Sequence, residues 1–262
     1  MNELRSRLHV QRVVSTFRGS SWPVLALADG EKVVVKLCGS AEGALPLVAE
    51  VVVGALAEAL GLSTPERYLV ELPEAVPSDD PHEELRDLLT KSAGLNLGFR
   101  YLEGFRNVTA ADASRIDPAL AARIVWLDAF VQNPDRTAKN PNLMIKAGKI
   151  SLIDHGAALN FHHDWRAVTE QSPREPGTVV ATHLMQVSEP ELVAADDALA
   201  ATLTRETLSR ALARVPDAWL STQGADAAER ERAAYIAYLH KRLRAPRPFV
   251  APGKHVPFQL RR

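Results

Sequence analysis

The first 102 residues and the rest of the chain carry different secondary-structure signals, and this asymmetry limits the fold more than any other feature. β-Branched residues dominate three early segments, which are separated by turn residues and cover 8–17, 22–28 and 32–37. Asp29-Gly30 lies between the last two segments, and because glycine accepts a positive φ, this pair is typical of a tight hairpin. The sequence therefore predicts three antiparallel strands at the N-terminus.

One helix and two more extended segments complete the first 102 residues. Apolar residues recur at helical spacing over 43–60, and Gly61 is placed to end that helix. Extended structure is predicted over 67–72 and 95–102. The intervening segment 73–91 holds prolines and an acidic helical pattern, which predicts an exposed insertion.

Helical patterns dominate after Glu103-Gly104, which is typical of a linker. Asp117 and Pro118 mark the start of a helix that reaches about residue 132. A short hairpin is predicted at 143–153. Helices are predicted at 189–203, 205–214 and 225–243, and a solvated arginine-rich stretch at 242–247. The sequence thus predicts an α+β fold with two lobes and a ligand cleft between them. The N-lobe, residues 1–102, is small and β-rich with one helix, and the C-lobe, residues 103–262, is larger and helical.

The composition excludes several classes of protein. The 262 residues carry a net charge of −1, with 46% hydrophobic and 24% charged residues, which is average for a globular protein and excludes intrinsic disorder. The pI of about 6.7 gives no strong nucleic-acid signal. No apolar run approaches the roughly 20 residues of a membrane-spanning helix. A single cysteine, Cys38, cannot form an internal disulfide, so we expect a cytoplasmic location.

A polar loop and the hairpin after it carry the strongest chemical signal. Asp135 lies in the loop NPDRTAKNPN, Asn140 and Asn142 follow, and Asp154 ends the hairpin in the sequence IDHG. In phosphoryl transfer one carboxylate orients or deprotonates the attacking hydroxyl, while an asparagine and a second aspartate hold Mg²⁺ on the nucleotide phosphates. Two protein ligands are enough, because Mg²⁺ keeps several waters. The order of these residues matches the catalytic and metal loops of kinases.

Lys36 lies inside the apolar strand VVVKL and is one of only eight lysines in the chain. A lysine buried there costs desolvation free energy unless it has an anionic partner. A nucleotide phosphate together with a helix glutamate would provide one, as in the lysine strand of protein kinases. Glu42 and Glu50 are the candidates, and Glu50 is favoured because it lies among valines on the helix. The alternative is an edge-strand lysine that faces solvent.

Three other features of the sequence allow more than one interpretation. Gly19, Ser20 and Ser21 join the first two strands, where backbone N–H groups either face a phosphate or form an ordinary turn. Arg136 either contacts phosphate, pins the loop or forms a structural ion pair. Asp128, within the apolar helix, either hydrogen-bonds the loop or faces water.

These motifs resemble those of the HipA-like kinase family. The segments that carry the resemblance are FRGSSWPVLALADGEKVVVK, AEVVVGALAEALGLSTPE, DAFVQNPDRTAKNPNLMI and ISLIDHGAAL, and it extends over about residues 8–250. The family is distantly related in fold to phosphatidylinositol 3- and 4-kinases and to protein kinases. The resemblance therefore implies a protein-kinase-like fold with ATP and Mg²⁺ as cofactors.

The resemblance also implies a role for each candidate residue. Asp135 would be the catalytic acid/base with Arg136 beside it, and Asp154 the main Mg²⁺ ligand, joined by Asn140 or Asn142. Three groups of residues would hold the nucleotide. Lys36 and its partner Glu50 would hold the phosphates together with the phosphate loop of Gly19, Ser20 and Ser21. Tyr101, Leu102 and Glu103 would lie near the adenine. His155 replaces the phenylalanine of the protein-kinase Asp-Phe-Gly motif.

The expected activity is ATP- and Mg²⁺-dependent phosphotransfer to a serine or threonine hydroxyl of a protein. A lipid or small-molecule kinase is the alternative, because the catalytic block does not identify the acceptor. The near-neutral charge disfavours a substrate at a membrane surface. A nucleotide-binding pseudokinase is the second alternative, which the joint presence of Lys36, Asp135 and Asp154 disfavours.

Overall fold

Five strands from the first 100 residues close into a small barrel in the computed structural model, which describes residues 4–17, 22–221 and 223–250. The strand order is β1-β2-β3-β5-β4, with bounds β1 Arg5–Thr16, β2 Val24–Ala28, β3 Glu31–Lys36, β4 Arg67–Leu72 and β5 Gly94–Arg100. β1, β2 and β3 form the antiparallel meander that the sequence predicts. The barrel closes through a parallel pairing of β1 with β4, which the sequence analysis did not predict.

The hairpin between β2 and β3 is confirmed at Asp29-Gly30, where both residues have positive φ angles of 45° and 83°. Positive φ at both central residues gives a turn whose twist matches that of the strands. Along β3, Val33 and Val35 point into the barrel core. Lys36 ends β3 opposite Leu97 of β5, and it is buried.

The regular structure in the remaining described residues is mainly helical. The helices are α1 Leu45–Ala59, α2 Glu83–Lys91, α3 Ala110–Ala113, α4 Pro118–Phe130, α5 Val179–Thr182, α6 Glu189–Thr202, α7 Arg205–Leu212, α8 Asp217–Leu220 and α9 Ala225–Leu243. The predicted start of α4 is confirmed, because the Asp117 carboxylate accepts a hydrogen bond from the Leu120 amide at 2.9 Å. Within the described ranges, no helix combines the length and apolarity needed to cross a membrane.

α1 is buried on all sides, from Pro46 to Ala57. It packs against α7 and α8 and belongs to one continuous apolar core with α4, α6 and α9. A separate, smaller core fills the barrel. The larger core therefore includes residues on both sides of position 102. Gly61 has a φ of +70° and its amide donates to the Glu58 carbonyl, which confirms it as the residue that ends the helix.

The segment 73–91 is not simply an exposed insertion, so this prediction was wrong in part. Its helix α2 is amphipathic, and Leu85 and Leu89 are buried in the barrel core. The apolar residues lie four apart on one helical face, which is the spacing that lets a helix cover a core while its charged residues face water. The acidic residues of the segment concealed this pattern in the sequence.

A second, three-stranded sheet lies after the barrel, with β6 Arg106–Asn107, β7 Leu143–Lys146 and β8 Lys149–Leu152. β7 and β8 form the predicted hairpin, and Ala147-Gly148 turns with φ angles of 48° and 79°. The catalytic-loop candidates precede β7, and Asp154 follows β8. The hairpin therefore brings the two acidic motifs together.

The arginine-rich stretch 242–247 is not a solvated tail, and that prediction was wrong. Arg242 is buried, and its guanidinium donates to the carbonyls of Phe130 and Ala129 at 2.9 Å each. These carbonyls belong to the last turn of α4, whose dipole favours a cation. Arg247 pairs with Asp196 of α6 at 2.7 Å. Arg242 thus fastens the end of α9 to α4, which leads into the loop of Asp135, and Arg247 fastens the segment after α9 to α6.

Arg67 of β4 fastens the barrel to α1. Its Nη2 donates to Glu58 Oε1 at 2.7 Å, and Arg214 reaches Glu58 Oε2 at 3.3 Å. The guanidinium crosses α1 at Gly54, where a Cβ atom would lie 1.8 Å from Arg67 Nη1. Any side chain at position 54 would therefore have to displace the Arg67 guanidinium from its place beside Glu58.

We expect Gly54→Ala to lower the free energy of unfolding by about 2 kcal/mol, because overpacking displaces the buried guanidinium. In an uncrowded helix the same substitution would stabilise by about 1 kcal/mol, so the sign of the change is diagnostic. In an Arg67→Ala background the obstacle is gone, and Gly54→Ala should be neutral or stabilising. Urea unfolding of the four proteins measures this, and a stabilising Gly54→Ala in the native background would contradict the packing described here.

Candidate active site

A cavity with a volume of about 510 Å³ opens between the barrel and the second sheet. Six of the residues predicted from sequence line it: Lys36, Tyr101, Leu102, Asn140, Asn142 and Asp154. Apolar side chains from both sides, among them Val34, Phe99, Met144 and Ile153, complete the walls. Glu50 and Asp135 lie behind this lining and bond to residues in it. The predicted phosphate-loop residues Gly19, Ser20 and Ser21 lie outside the described residues.

Lys36 forms the centre of an ion cluster at the inner end of the cavity. Its Nζ atom is 2.6 Å from Glu50 Oε1 and 2.5 Å from Asp154 Oδ1. The side chains of Lys36 and Glu50 are 10% and 1% exposed, whereas that of Asp154 is 43% exposed. The interpretation of Lys36 as a solvent-facing edge lysine is therefore wrong. Of the two candidate glutamates, Glu50 is the partner.

The charges of this cluster stabilise one another. Burial alone disfavours the Lys36 ammonium, but the attraction of Glu50 and then of Asp154 outweighs it and raises the pKa of Lys36 above its ordinary range. Burial likewise disfavours the Glu50 carboxylate, yet the attraction of Lys36 and a hydrogen bond from His155 hold the pKa of Glu50 well below its usual range. Both groups are charged at neutral pH.

Asp154 stands at the end of β8 in a left-handed conformation with φ of 54°. The next residue, His155, is buried, and its backbone N–H donates to Glu50 Oε1 at 2.9 Å. Gly156 follows, and a Cβ atom there would lie 3.2 Å from Pro46 of α1. The metal-ligand candidate is thus carried by a turn that fits closely against α1.

Asp135 is held by both candidate asparagines. Asn140 Nδ2 donates to Asp135 Oδ2 at 2.8 Å, and Asn142 Nδ2 donates to the same oxygen at 3.1 Å. Asn142 Nδ2 also donates to the Asp135 backbone carbonyl at 2.9 Å. Asn140 is exposed and Asn142 is buried. Among the described residues, Asp135 Oδ1 has no hydrogen-bond donor.

Arg136 does not face the cavity. Its side chain is fully buried, and Nε donates to Asp128 Oδ2 at 2.6 Å. Nη1 donates to the carbonyls of Asn142 and Ile153, which flank the β7–β8 hairpin. Of the alternatives left open by the sequence, the structure shows the buried ion pair that pins the loop. The same contacts show that Asp128 binds the loop and does not face water.

Two residues of this network were missed by the sequence analysis. His183 Nε2 lies 3.0 Å from Asp128 Oδ2, and Asn133 Nδ2 donates to Asp128 Oδ1 at 2.9 Å. Burial raises the pKa of Asp128, but the attraction of Arg136 and the hydrogen bond from His183 outweigh it and lower the pKa. Asn133 directly precedes the Pro-Asp motif, and its position was a usable signal. His183 lies far along the chain in no motif, and only the tertiary structure reveals it.

Tyr101, Leu102 and Phe105 line part of the cavity wall. The Phe105 amide donates to the Leu102 carbonyl at 3.2 Å, and Lys146 Nζ donates to the Glu103 carbonyl at 2.8 Å. Tyr101 and Leu102 face the cavity, whereas Glu103 is absent from its lining. The Leu102 amide N–H has no acceptor among the residues that the structure describes, so it is available to a ligand.

The donor set at the cavity suits a hard cation that shares its coordination with a ligand. Asp154 offers a half-exposed carboxylate, and Asn140 and Asn142 offer amide oxygens. In the described part of the chain no group of three or more His, Cys, Asp or Glu residues could hold a metal ion by itself. Mg²⁺ bound to nucleotide phosphates needs only one or two protein carboxylates or amides, so the residues fit it.

Comparison with known proteins identifies a family and a fold. A family model described as HipA-like kinase matches residues 14–245. In structure the chain is similar to a Helicobacter pylori proinflammatory kinase, CtkA, with a TM-score of 0.53 and 10% sequence identity over 87% of this chain and 93% of that one. No curated protein sequence matches. At this identity the structural likeness shows the fold alone.

We expect the stability that Glu50 contributes to depend on pH. Because the pKa of folded Glu50 lies below its ordinary 4.5, its contribution is complete above that value and is lost as the pH falls towards the lower folded pKa. Because the pKa of Lys36 is raised in the folded protein, the stability that Lys36 contributes is lost only as the pH rises above about 10.5. Glu50→Gln should therefore cost about 3 kcal/mol near pH 7, with a difference from the native protein that shrinks below about pH 4.5.

Urea unfolding from about pH 7 to about pH 3 measures that difference. Glu206→Gln, on an exposed face of α7, is the matched control and should follow the native profile at every pH. A difference between the native protein and Glu50→Gln that stays constant over this range would show that Glu50 titrates alike in the folded and unfolded states.

Proposed function

The chain belongs to the HipA-like kinase family and is therefore a phosphotransferase, and from this we propose that it transfers the γ-phosphoryl group of ATP, with Mg²⁺, to a serine or threonine hydroxyl of a protein. One observation carries the proposal. Lys36 and Asp154 line one cavity, and Glu50 and Asp135 lie directly behind it, bonded to Lys36 and to Asn140 and Asn142 of the lining, although these residues come from distant parts of the chain. A cation for phosphate, an acid for the metal and an acid for the hydroxyl are the parts that phosphoryl transfer needs.

Asp135 is proposed as the residue that accepts the proton of the acceptor hydroxyl. Its Oδ2 is fixed by two amide donors, which leaves Oδ1 for that proton. As the hydroxyl oxygen forms its bond to the γ-phosphorus, the bond from phosphorus to the β–γ bridging oxygen breaks and ADP leaves with that electron pair. The proton then passes from Asp135 to solvent. Orientation and electrostatics supply most of the rate enhancement in such a site.

Asp154 and Asn140 are proposed as the Mg²⁺ ligands. The bound ion would neutralise charge on the nucleotide phosphates. Asp154 is half exposed to the cavity, and its Oδ1 is already oriented by Lys36. Asn140 is exposed and makes one side-chain hydrogen bond, whereas Asn142 uses its Nδ2 twice on Asp135. Asn142 is therefore proposed to brace Asp135, as Arg136 braces the whole loop.

The outer part of the cavity is proposed to hold the adenine. Val34 on one side and Met144 and Ile153 on the other provide an apolar slot for a flat ring. The Leu102 amide N–H could donate to a ring nitrogen of the base. Because the slot lies between the barrel and the second sheet, we propose that the barrel belongs to an N-lobe, residues 1–102, and the second sheet to a C-lobe, residues 103–262.

We expect Asp135→Asn to reduce phosphotransfer about a thousandfold, because asparagine cannot accept the hydroxyl proton. Pure protein is incubated with γ-labelled ATP and Mg²⁺, with soluble cell proteins in one arm and phosphatidylinositol vesicles in the other. Asp87→Asn, an exposed acid on α2, is the control and should retain native activity.

Label on serine or threonine of a protein, lost with Asp135→Asn, supports the full proposal. Label in the lipid arm alone would move the assignment to a lipid kinase. Binding of ATP that needs no Mg²⁺, with no transfer in either arm, would identify a pseudokinase. Native activity in Asp135→Asn would overturn the role given to Asp135.

We expect the two asparagines to respond differently to Mg²⁺. Asn140→Ala should raise the Mg²⁺ concentration for half-maximal activity by about tenfold or more, because it removes a proposed ligand. Asn142→Ala should lower kcat with little change in that concentration, because it frees Asp135 to rotate. Titration of activity with Mg²⁺ at saturating ATP separates the two, and the reverse pattern would exchange their roles.

A further inference from the structure

Both oxygens of the Glu50 carboxylate are bonded by one residue, His155. The backbone N–H of His155 donates to Oε1 at 2.9 Å, and its ring Nδ1 lies 3.2 Å from Oε2. Lys36 shares Oε1. Within the described residues, His155 Nδ1 is the only partner of Oε2. The imidazole therefore holds the carboxylate oxygen that Lys36 does not contact.

The contacts of the ring identify its tautomer. A carboxylate only accepts hydrogen bonds, so Nδ1 carries the proton. The other ring nitrogen, Nε2, is buried and has no hydrogen-bond partner in the part of the chain that the structure describes. A lone pair at Nε2 is tolerated there more easily than a second N–H, which would be an unsatisfied buried donor. The hydrogen bond to Glu50 thus requires a proton at Nδ1.

We propose that His155 is a positioning residue for phosphoryl transfer: its Nδ1–H orients Glu50, and Glu50 in turn holds Lys36 towards the nucleotide phosphates. This inference rests on the proposed function, because Lys36 has no phosphate to hold unless the cavity binds ATP. The residue in this place in protein kinases is phenylalanine, which fills a similar volume and donates nothing. Histidine makes the turn after Asp154 part of the polar cluster.

The proposal is tested by the affinity of the full chain for Mg-ATP, measured by calorimetry. The variants are His155→Phe, His155→Asn, Glu50→Ala and the double variant Glu50→Ala/His155→Phe. We expect His155→Phe to weaken binding about tenfold, the size of one lost hydrogen bond to a charged group. Asparagine places an N–H near the Nδ1 position, so His155→Asn should stay within about threefold of the native affinity.

The double variant distinguishes positioning from general loss of structure. If His155 acts through Glu50, then adding His155→Phe to Glu50→Ala has no further effect on affinity. Native affinity in His155→Phe, or an equal further loss in the Glu50→Ala background, would overturn the proposal. A native protein that does not bind Mg-ATP would overturn the proposed function instead.

One measurement needs no variant and no nucleotide. In the native protein with ¹⁵N-labelled histidine, the ring nitrogens of His155 report which of them carries the proton. Protonation at Nδ1 agrees with the proposal. A ring protonated at Nε2 alone cannot donate from Nδ1 to Glu50, and that result would refute the proposal even if every variant were poorly folded.

Discussion

The buried pair of Asp128 and Arg136 is the interaction on which the geometry of the cavity depends. Asp128 comes from α4, and Arg136 from the loop that follows α4. Nη1 of the arginine donates to the carbonyls of Asn142 and Ile153, at the two ends of the β7–β8 hairpin. One ion pair therefore sets the distance between the loop of Asp135 and the hairpin that ends at Asp154. A buried pair of this kind adds little net stability, but loss of either partner leaves an uncompensated charge in a dry interior.

The two acidic motifs are supported in different ways. Asp135 is held by neutral amides, which orient a carboxylate without adding charge near it. Asp154 is held by the Lys36 ammonium, which also satisfies Glu50. A phosphate that approaches this cluster meets one ammonium and two carboxylates, which together carry a net negative charge. In the proposed function, a bound Mg²⁺ ion would offset this negative charge near the nucleotide phosphates.

The sequence predicted what local chemistry determines. The Asp29-Gly30 hairpin, the Asp117 cap and the Ala147-Gly148 turn follow from the backbone preferences of a few adjacent residues. Lys36 and Glu50 could be paired because a charge among valines needs a partner. The parallel pairing of β1 with β4 could not be predicted, because no local pattern records which distant strands meet. The same holds for His183 and Arg242, whose partners are buried carboxylate and carbonyl groups supplied by the tertiary fold.

The burial of α1 on every side has a consequence for how the protein tolerates mutation. A helix with one face in water can exchange residues on that face at little cost, but from Pro46 to Ala57 this helix has no such face. Gly54 admits no side chain at all while Arg67 crosses it. Inherited changes that destabilise the protein are therefore expected all along α1, although Glu50 is the residue of this helix that pairs with Lys36. Such changes would be recognised as defects of folding before they were recognised as defects of catalysis.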